Sequence, residues 1–266
     1  MKKILYLLIL FCFLFSISSV QAESLFDQTI CFCEDEAEWP PYHYLKRENG
    51  KKTKTVVGYG TDILNEIFNE KGIRYKIQFI PWKRCLHELE SGKNYQMALS
   101  GSYNLERDKS CYLINWYKTT VYYFYSKKYF PDGLKIDSVS DLKNYRLGGL
   151  LGYSYQYIGE LEKKMDKGAR DYDAMIAKLH KGRCDVTFEQ YEIFAGFAAI
   201  GKNYLGDKDL GYAKLPGVRP TWFNMMISKN YEHSDALKRI ISEGIAELFW
   251  SGKYKTYLEK YGLIAE

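Results

Sequence analysis

This 266-residue chain lacks a strong charge of either sign. Its formal balance is +5, and residues 1–22 carry two lysines and no acids, so the remainder holds +3. A balance that mild excludes the dense basic face that nucleic acid or an anionic membrane surface requires. The concentrated basic stretch, Lys51-Lys52-Thr53-Lys54, follows Asn49-Gly50 and reads as a solvated hairpin tip. Metal-ligating patterns are equally scarce. His43, His87, His180 and His233 are scattered, and Cys31-Phe32-Cys33 lacks the spacing of a zinc site. No metal and no cofactor is expected. An apolar run of about 20 residues, the length that spans a bilayer, is missing too. The run from Ile4 to Phe15 is shorter, follows Lys2-Lys3 and precedes a small-residue stretch ending in Val20-Gln21-Ala22. That is the pattern of a cleaved secretory signal over residues 1–22. Cys12, behind the bulky Phe11 and inside the apolar run, is a poor lipidation site. Export permits disulfides, and five cysteines follow the signal: Cys31, Cys33, Cys85, Cys111 and Cys184. An odd number leaves at least one thiol free or paired between chains, and the pairing stays open.

What is present is an alternation of strand and helix patterns. Thr29 to Cys33 reads as a strand, and a hairpin surrounds Asn49-Gly50 and closes by Gly60. Thr61 caps a helix with Ile63, Leu64, Ile67 and Phe68 on one face, ended by Gly72. Tyr75, Ile77 and Phe79 alternate with charged and polar residues, a half-buried strand. A helix follows Pro81 with Trp82, Cys85, Leu86 and Leu89 on one side, and Gln96 to Ser100 is the next strand. This order predicts an α/β sheet with its ligand crevice beyond the carboxyl ends of the strands. A second unit repeats the plan. Thr119 to Lys127 is long enough to cross between lobes, Ser140-Asp141-Leu142 opens a short helix, and Tyr145 to Leu151 is a strand ending in Gly152-Tyr153-Ser154. Asp173 starts a helix that ends at Gly182, and Cys184 to Phe188 is again a strand. Leu89 to Lys93 and Leu179 to Arg183 occupy equivalent places in the two units. Tyr212 to Leu215 and Thr221 to Ser228 cross back, and Ser234 caps a C-terminal helix. The expected architecture is a two-lobe clamshell: residues 23–122 with 220–266 as lobe 1, residues 123–219 as lobe 2, each a mixed sheet flanked by helices.

One stretch carries chemistry. In Ser100-Gly101-Ser102-Tyr103-Asn104-Leu105-Glu106-Arg107, two hydroxyls leave a strand, Asn104 is a good N-cap, and Arg107 stands three residues into the next helix. An arginine at the positive end of a helix costs roughly 0.3–1 kcal/mol unless an anion shares the site. With an anion present, hydroxyls and a guanidinium fork form a cradle suited to a carboxylate. The competing reading is a surface arginine neutralised by Glu106 or Asp108.

Taken in order, these elements resemble the bacterial extracellular solute-binding proteins of family 3, the periplasmic receptors of polar amino-acid importers. Glu38-Trp39-Pro40-Pro41-Tyr42 is similar to the family's Pro-Pro-aromatic loop, and Gly58-Tyr59-Gly60-Thr61-Asp62 to its Gly-aromatic-x-x-Asp helix start. Pro81-Trp82 with Leu89 and Gly92-Lys93 matches its Trp, Leu and Gly-Lys spacing. Ser100-x-Ser102-x₄-Arg107 resembles the motif that binds the ligand carboxylate, and Gly182-Arg183-Cys184-Asp185 the Gly-Arg-x-Asp element of the second lobe. The resemblance implies a type II periplasmic-binding-protein fold with two crossover strands as hinge. It also implies a monomer that closes on a small carboxylate and hands it to an ABC permease, or signals through a membrane sensor. In that scheme Arg107 grips the carboxylate bidentately and Ser100 or Ser102 adds hydrogen bonds. Tyr42, with Tyr59 and Trp82 as further candidates, walls the cleft, and Ser154 meets the anion from the other lobe. Asp185 is expected to be structural.

The chain departs from the family at one position. Where amino-acid receptors carry an Asp that pairs with the ligand ammonium, this chain has Gln190, next to Glu189. Either Glu189 takes over that role or the ligand is not an α-amino acid. A buried ammonium facing only Gln190 loses a charge-assisted partner, at a cost of several kcal/mol. With 25 tyrosines in the chain, Tyr153, Tyr155 and Tyr157 among them, a larger or aromatic carboxylate fits equally well. Some members of the fold resemble dehydratases, in which a buried carboxyl such as Glu189 acts as general acid.

Overall fold

The computed structural model describes residues 28–263 together with Leu25; the expected signal segment, residues 1–22, lies outside the described residues. Two five-stranded mixed sheets form the two lobes of an α/β clamshell. In the first, β4 (Arg74–Ile80), β1 (Thr29–Asp35), β5 (Met97–Ser102), β12 (Thr221–Ser228) and β6 (Cys111–Thr119) lie in that order. β1 is parallel to β4 and β5, and β12 runs antiparallel to β5 and β6. In the second, the order is β11 (Leu210–Lys214), β7 (Val121–Ser126), β10 (Val186–Gln190), β8 (Leu147–Leu150) and β9 (Asp166–Ala169). A hairpin of β2 (Tyr44–Glu48) and β3 (Lys51–Val57) turns at Asn49-Gly50, both with positive φ.

Local chemistry explains the elements. Helix α1 (Tyr59–Glu70) begins two residues before the Thr61 cap that the sequence suggests. Its first N–H groups are satisfied from outside the helix: Tyr59 N–H donates to the Pro41 carbonyl at 2.9 Å and Gly60 N–H to that of Tyr42 at 2.7 Å. Gly58 makes this turn at φ +129, with the Tyr42 carbonyl oxygen 2.4 Å from where a Cβ would stand. Helix α2 (Trp82–Ser91) starts directly after Pro81 and stops on left-handed Gly92. Helix α3 (Leu105–Ser110) is short; α4 (Tyr172–His180) is capped by Asp171. Helices α5 (Tyr191–Gly196), α6 (Ser234–Trp250) and α7 (Lys253–Lys260) complete the set.

The expected crossing strand Thr119 to Lys127 is two elements. β6 stays in the first sheet to Thr119, the chain changes sheets at Thr120, and β7 begins the second sheet. Likewise β11, expected to cross back, pairs with β7 inside the second sheet, and the return lies between Lys214 and Thr221. Asp185 is structural as expected: it accepts from Arg146 at 2.6 Å. Cys33 on β1 is bonded to Cys85 on α2, while Cys31, Cys111 and Cys184 are free thiols. No helix among the described residues is long and apolar enough to cross a membrane.

A cross-link of this kind stabilises a domain by about 2–4 kcal/mol. Replacing both Cys33 and Cys85 by Ala is expected to lower the melting temperature by roughly 5–15 °C in a calorimetric scan. An unchanged midpoint would place the stabilisation in the apolar packing alone.

Candidate functional site

The carboxyl ends of β1, β5, β8 and β10 converge on a cavity of about 310 Å³ between the lobes. Lobe 1 contributes Glu34 and Asp35 from the end of β1, Ser100 and Ser102 from the end of β5, and Arg107 from α3. Lobe 2 contributes Ser154 from the loop after β8 and Glu189 and Gln190 from the end of β10.

Arg107 is the cationic anchor. Asn104 caps α3 by accepting from the Arg107 backbone N–H at 2.8 Å, which fixes where the side chain leaves the helix. Its Nη1 donates to the Ser102 carbonyl and Oγ, both at 2.8 Å, and its guanidinium carbon lies 5.6 Å over the Trp82 ring. Nε is buried with no hydrogen-bond partner. The surface reading fails, because Arg107 is 7% exposed and Glu106 pairs with Lys109 instead. Burial pulls the Arg107 pKa down to about 10, so it remains a cation at neutral pH. The anchored Nη1 leaves the Nε side of the fork open for a planar carboxylate.

The opposite wall is acidic. Glu34 accepts from the Leu99 N–H, and its Oε2 lies 2.8 Å from His43 Nε2, in contact without the alignment of a hydrogen bond. Ser100 is held by the Tyr117 hydroxyl at 2.7 Å and His43 Nδ1 at 3.4 Å. Burial pushes the Asp35 carboxyl up to about 6, although Tyr153 donates to it at 2.9 Å. Burial pushes Glu189 further, to about 8; its Oε1 accepts from the Gln190 N–H at 2.7 Å and its Oε2 has no partner. Gln190 accepts from Thr119 Oγ1 at 2.8 Å, beside the crossover.

Of the residues named from the sequence, Arg107, Ser102, Ser100, Ser154, Glu189, Gln190 and Trp82 line the cavity. Tyr42 and Tyr59 do not; both are core. Trp39 and His43 are bridged to each other and face the cavity, which turns Tyr42 inward to stack on Tyr117 at 3.7 Å. Tyr59 stacks on Trp116 at 5.4 Å and is fully buried. Sequence reasoning passed over Glu34, Asp35, Trp39 and His43. The signal available was an acidic pair at the carboxyl end of a buried strand. It also passed over Trp222 and Tyr103, exposed by 43% and 56% at the cavity rim. Among the described residues no group of His, Cys, Asp and Glu is placed to hold a metal ion.

The chain matches the family profile described as "Bacterial extracellular solute-binding proteins, family 3" over residues 33–264. No sequence among curated proteins matches it. A structure of the substrate-binding protein of an amino acid ABC transporter superposes with a TM-score of 0.68 at 21% identity, covering 88% of this chain and 99% of that one. The P235GK mutant of ArgBP from T. maritima gives 0.69 at 18% identity, covering 88% and 94%. A histidine kinase sensor domain with similarity to periplasmic binding proteins gives 0.68 at 19%, covering 88% and 97%. At these identities the likeness establishes the fold.

Glu189 sets a pH dependence of stability. Its folded pKa is raised above the unfolded value, so the unfolded state gives up its proton first and native stability falls as pH climbs from about 4.5 to about 8. Glu189→Gln is expected to remove that slope. Its melting temperature, measured against wild type, should gain steadily from pH 5 to pH 8; a constant offset would show that Glu189 is ionised throughout.

Proposed function

The chain belongs to the bacterial extracellular solute-binding proteins of family 3, and on that premise we propose that it captures a small carboxylate-bearing ligand by closing two lobes over it. The observation that carries this reading is Arg107: a buried guanidinium facing the cavity with Nε unpaired and no acidic partner among the described residues. A cation kept from water without a counter-ion is costly, and a ligand carboxylate supplies what the protein withholds. Ser102 orients the fork, and Ser154 reaches the same region from lobe 2, so both lobes contact the anion only when closed. Binding then selects the closed state through contacts that the open state lacks. The ligand is an amino acid or a related acid, and the reading is of capture and release without bond making.

We place the protein outside the cytoplasm, in the periplasm, as a monomer that delivers the ligand to an ABC permease. A membrane sensor is the second partner class, favoured by the shared fold with the histidine kinase sensor domain.

A thermal-shift screen over amino acids, 2-oxo and 2-hydroxy acids, peptides and sugars tests the proposal. A carboxylate at 100 times its Kd adds about 2.7 kcal/mol, roughly 5–10 °C for a chain of this size. Arg107→Ala is expected to abolish the shift. A full shift in Arg107→Ala, or hits confined to uncharged sugars, would overturn the carboxylate reading.

A further inference from the structure

The lobe 2 side of the cavity has a corner that a carboxylate on Arg107 leaves unused. Phe188 and Glu189 stand at the end of β10, Tyr155 and Tyr157 in the loop after β8, and all four line the cavity. The three rings are steeply inclined to one another. Tyr155 and Tyr157 lie at 6.1 Å and 67°, Tyr157 and Phe188 at 6.2 Å and 80°, Tyr155 and Phe188 at 6.4 Å and 55°. Rings set in this way enclose a corner and not a flat slot, so a planar group stacks on no more than one of them. The Tyr155 hydroxyl accepts from the Leu150 N–H at 2.8 Å, which ties its ring to β8. Beside the corner, Glu189 is buried; its Oε1 accepts from the Gln190 N–H and its Oε2 has no partner. Its charged neighbours Asp35 and Glu192 are acids as well.

The acceptors of the cavity decide which kind of cation fits there. A primary ammonium brings three N–H donors, and each one buried without a partner costs free energy. Most acceptors here are already engaged inside the protein. Glu34 takes the Leu99 N–H and abuts His43. Asp35 takes the Ala37 N–H at 3.0 Å and the Tyr153 hydroxyl at 2.9 Å. Gln190 Oε1 takes the Thr119 hydroxyl, and Ser102 takes Arg107. Among the described residues, Glu189 Oε2 is the buried carboxylate oxygen of this cavity that stands without a partner. A primary ammonium would pair one N–H with it and leave the others against ring faces. Methyl groups remove that deficit, because an N-methylated cation asks for negative charge and aromatic faces within about 6 Å, not for several acceptors. The corner supplies both.

We infer that Glu189 and the rings of Tyr155, Tyr157 and Phe188 form a site for an N-methylated ammonium, so that the captured ligand is a betaine. Its carboxylate lies on Arg107 in lobe 1 and its methylated cation on Glu189 in lobe 2. Each lobe then holds one charge of the same molecule, and the bound ligand draws the two lobes together. A carboxylate without the cation meets lobe 1 alone and gains less from closure.

This inference rests on the proposed capture of a carboxylate. Isothermal titration calorimetry tests it with glycine and phenylalanine, each unmethylated and with increasing N-methylation up to the trimethylated betaine, and with 3-phenylpropionate and choline. Within a series, affinity is expected to rise with methylation, the betaine binding about tenfold or more tighter than its parent. The cation-free 3-phenylpropionate is expected to bind more weakly than phenylalanine betaine. Tyr157→Leu, at a half-buried loop position, is expected to bind betaine and parent amino acid alike. Glu189→Gln keeps the side-chain shape and is expected to lose about tenfold in betaine affinity; it carries the test should Tyr157→Leu fail to fold by far-ultraviolet dichroism. A parent amino acid or 3-phenylpropionate binding as tightly as the betaine would overturn the cation site and leave carboxylate capture standing. Wild-type betaine affinity in Glu189→Gln, or no binding by any methylated form, would overturn it too. Choline binding as tightly as the betaines, and equally in Arg107→Ala, would do the reverse: the cation site stands and the carboxylate reading falls.

Discussion

A buried guanidinium without an acid partner is the constraint around which this molecule is arranged. Arg107 sits in the cavity wall with Nη1 fixed on Ser102 and its flat face toward Trp82. Removing a charge from water is tolerated only where hydrogen bonds and a polarisable ring replace part of the solvation. Those replacements come from separate elements: Ser102 from the end of β5, Asn104 from the cap of α3, and Trp82 from the start of α2. The first sheet must therefore be correctly stacked for the arginine to have a home. The acids of the cleft are kept apart from it, with Glu34 against His43, Asp35 under Tyr153, and Glu189 on β10. Separation leaves the cation without an internal counter-charge, which a single misplaced carboxylate would supply.

The lobe architecture was legible from the chain because strand and helix periodicities differ and glycine marks the helix ends; Gly92 and Gly182 both adopt positive φ in equivalent places. Arg107 with Ser100 and Ser102 was legible for a related reason: a strand end, a cap and a cation at fixed spacing define one geometry. The aromatic walls were not. Which face a residue shows after Pro40-Pro41 depends on the Trp39–His43 bridge, and that pairing, unlike a period of 2 or 3.6, leaves no trace in the local pattern. Tyr42 and Trp39 exchange roles on that account. β6 was missed because its burial does not alternate cleanly, and Thr119 to Lys127 was read as one strand because β-branched and aromatic residues run through the point where the chain changes sheets.

The cross-link between Cys33 and Cys85 has a bearing on when the site comes into existence. Cys33 immediately precedes Glu34 and Asp35, and Cys85 lies one helical turn after Trp82, so the bond joins the base of the acidic wall to the element that shelters Arg107. Disulfides persist in oxidising surroundings and are rare under reducing ones. Under reducing conditions these two walls are held by packing alone. Oxidation thus adds a covalent tie between the strand end that carries Glu34 and Asp35 and the helix that carries Trp82, so the redox state of one cysteine pair bears on the shape of the cavity as well as on stability.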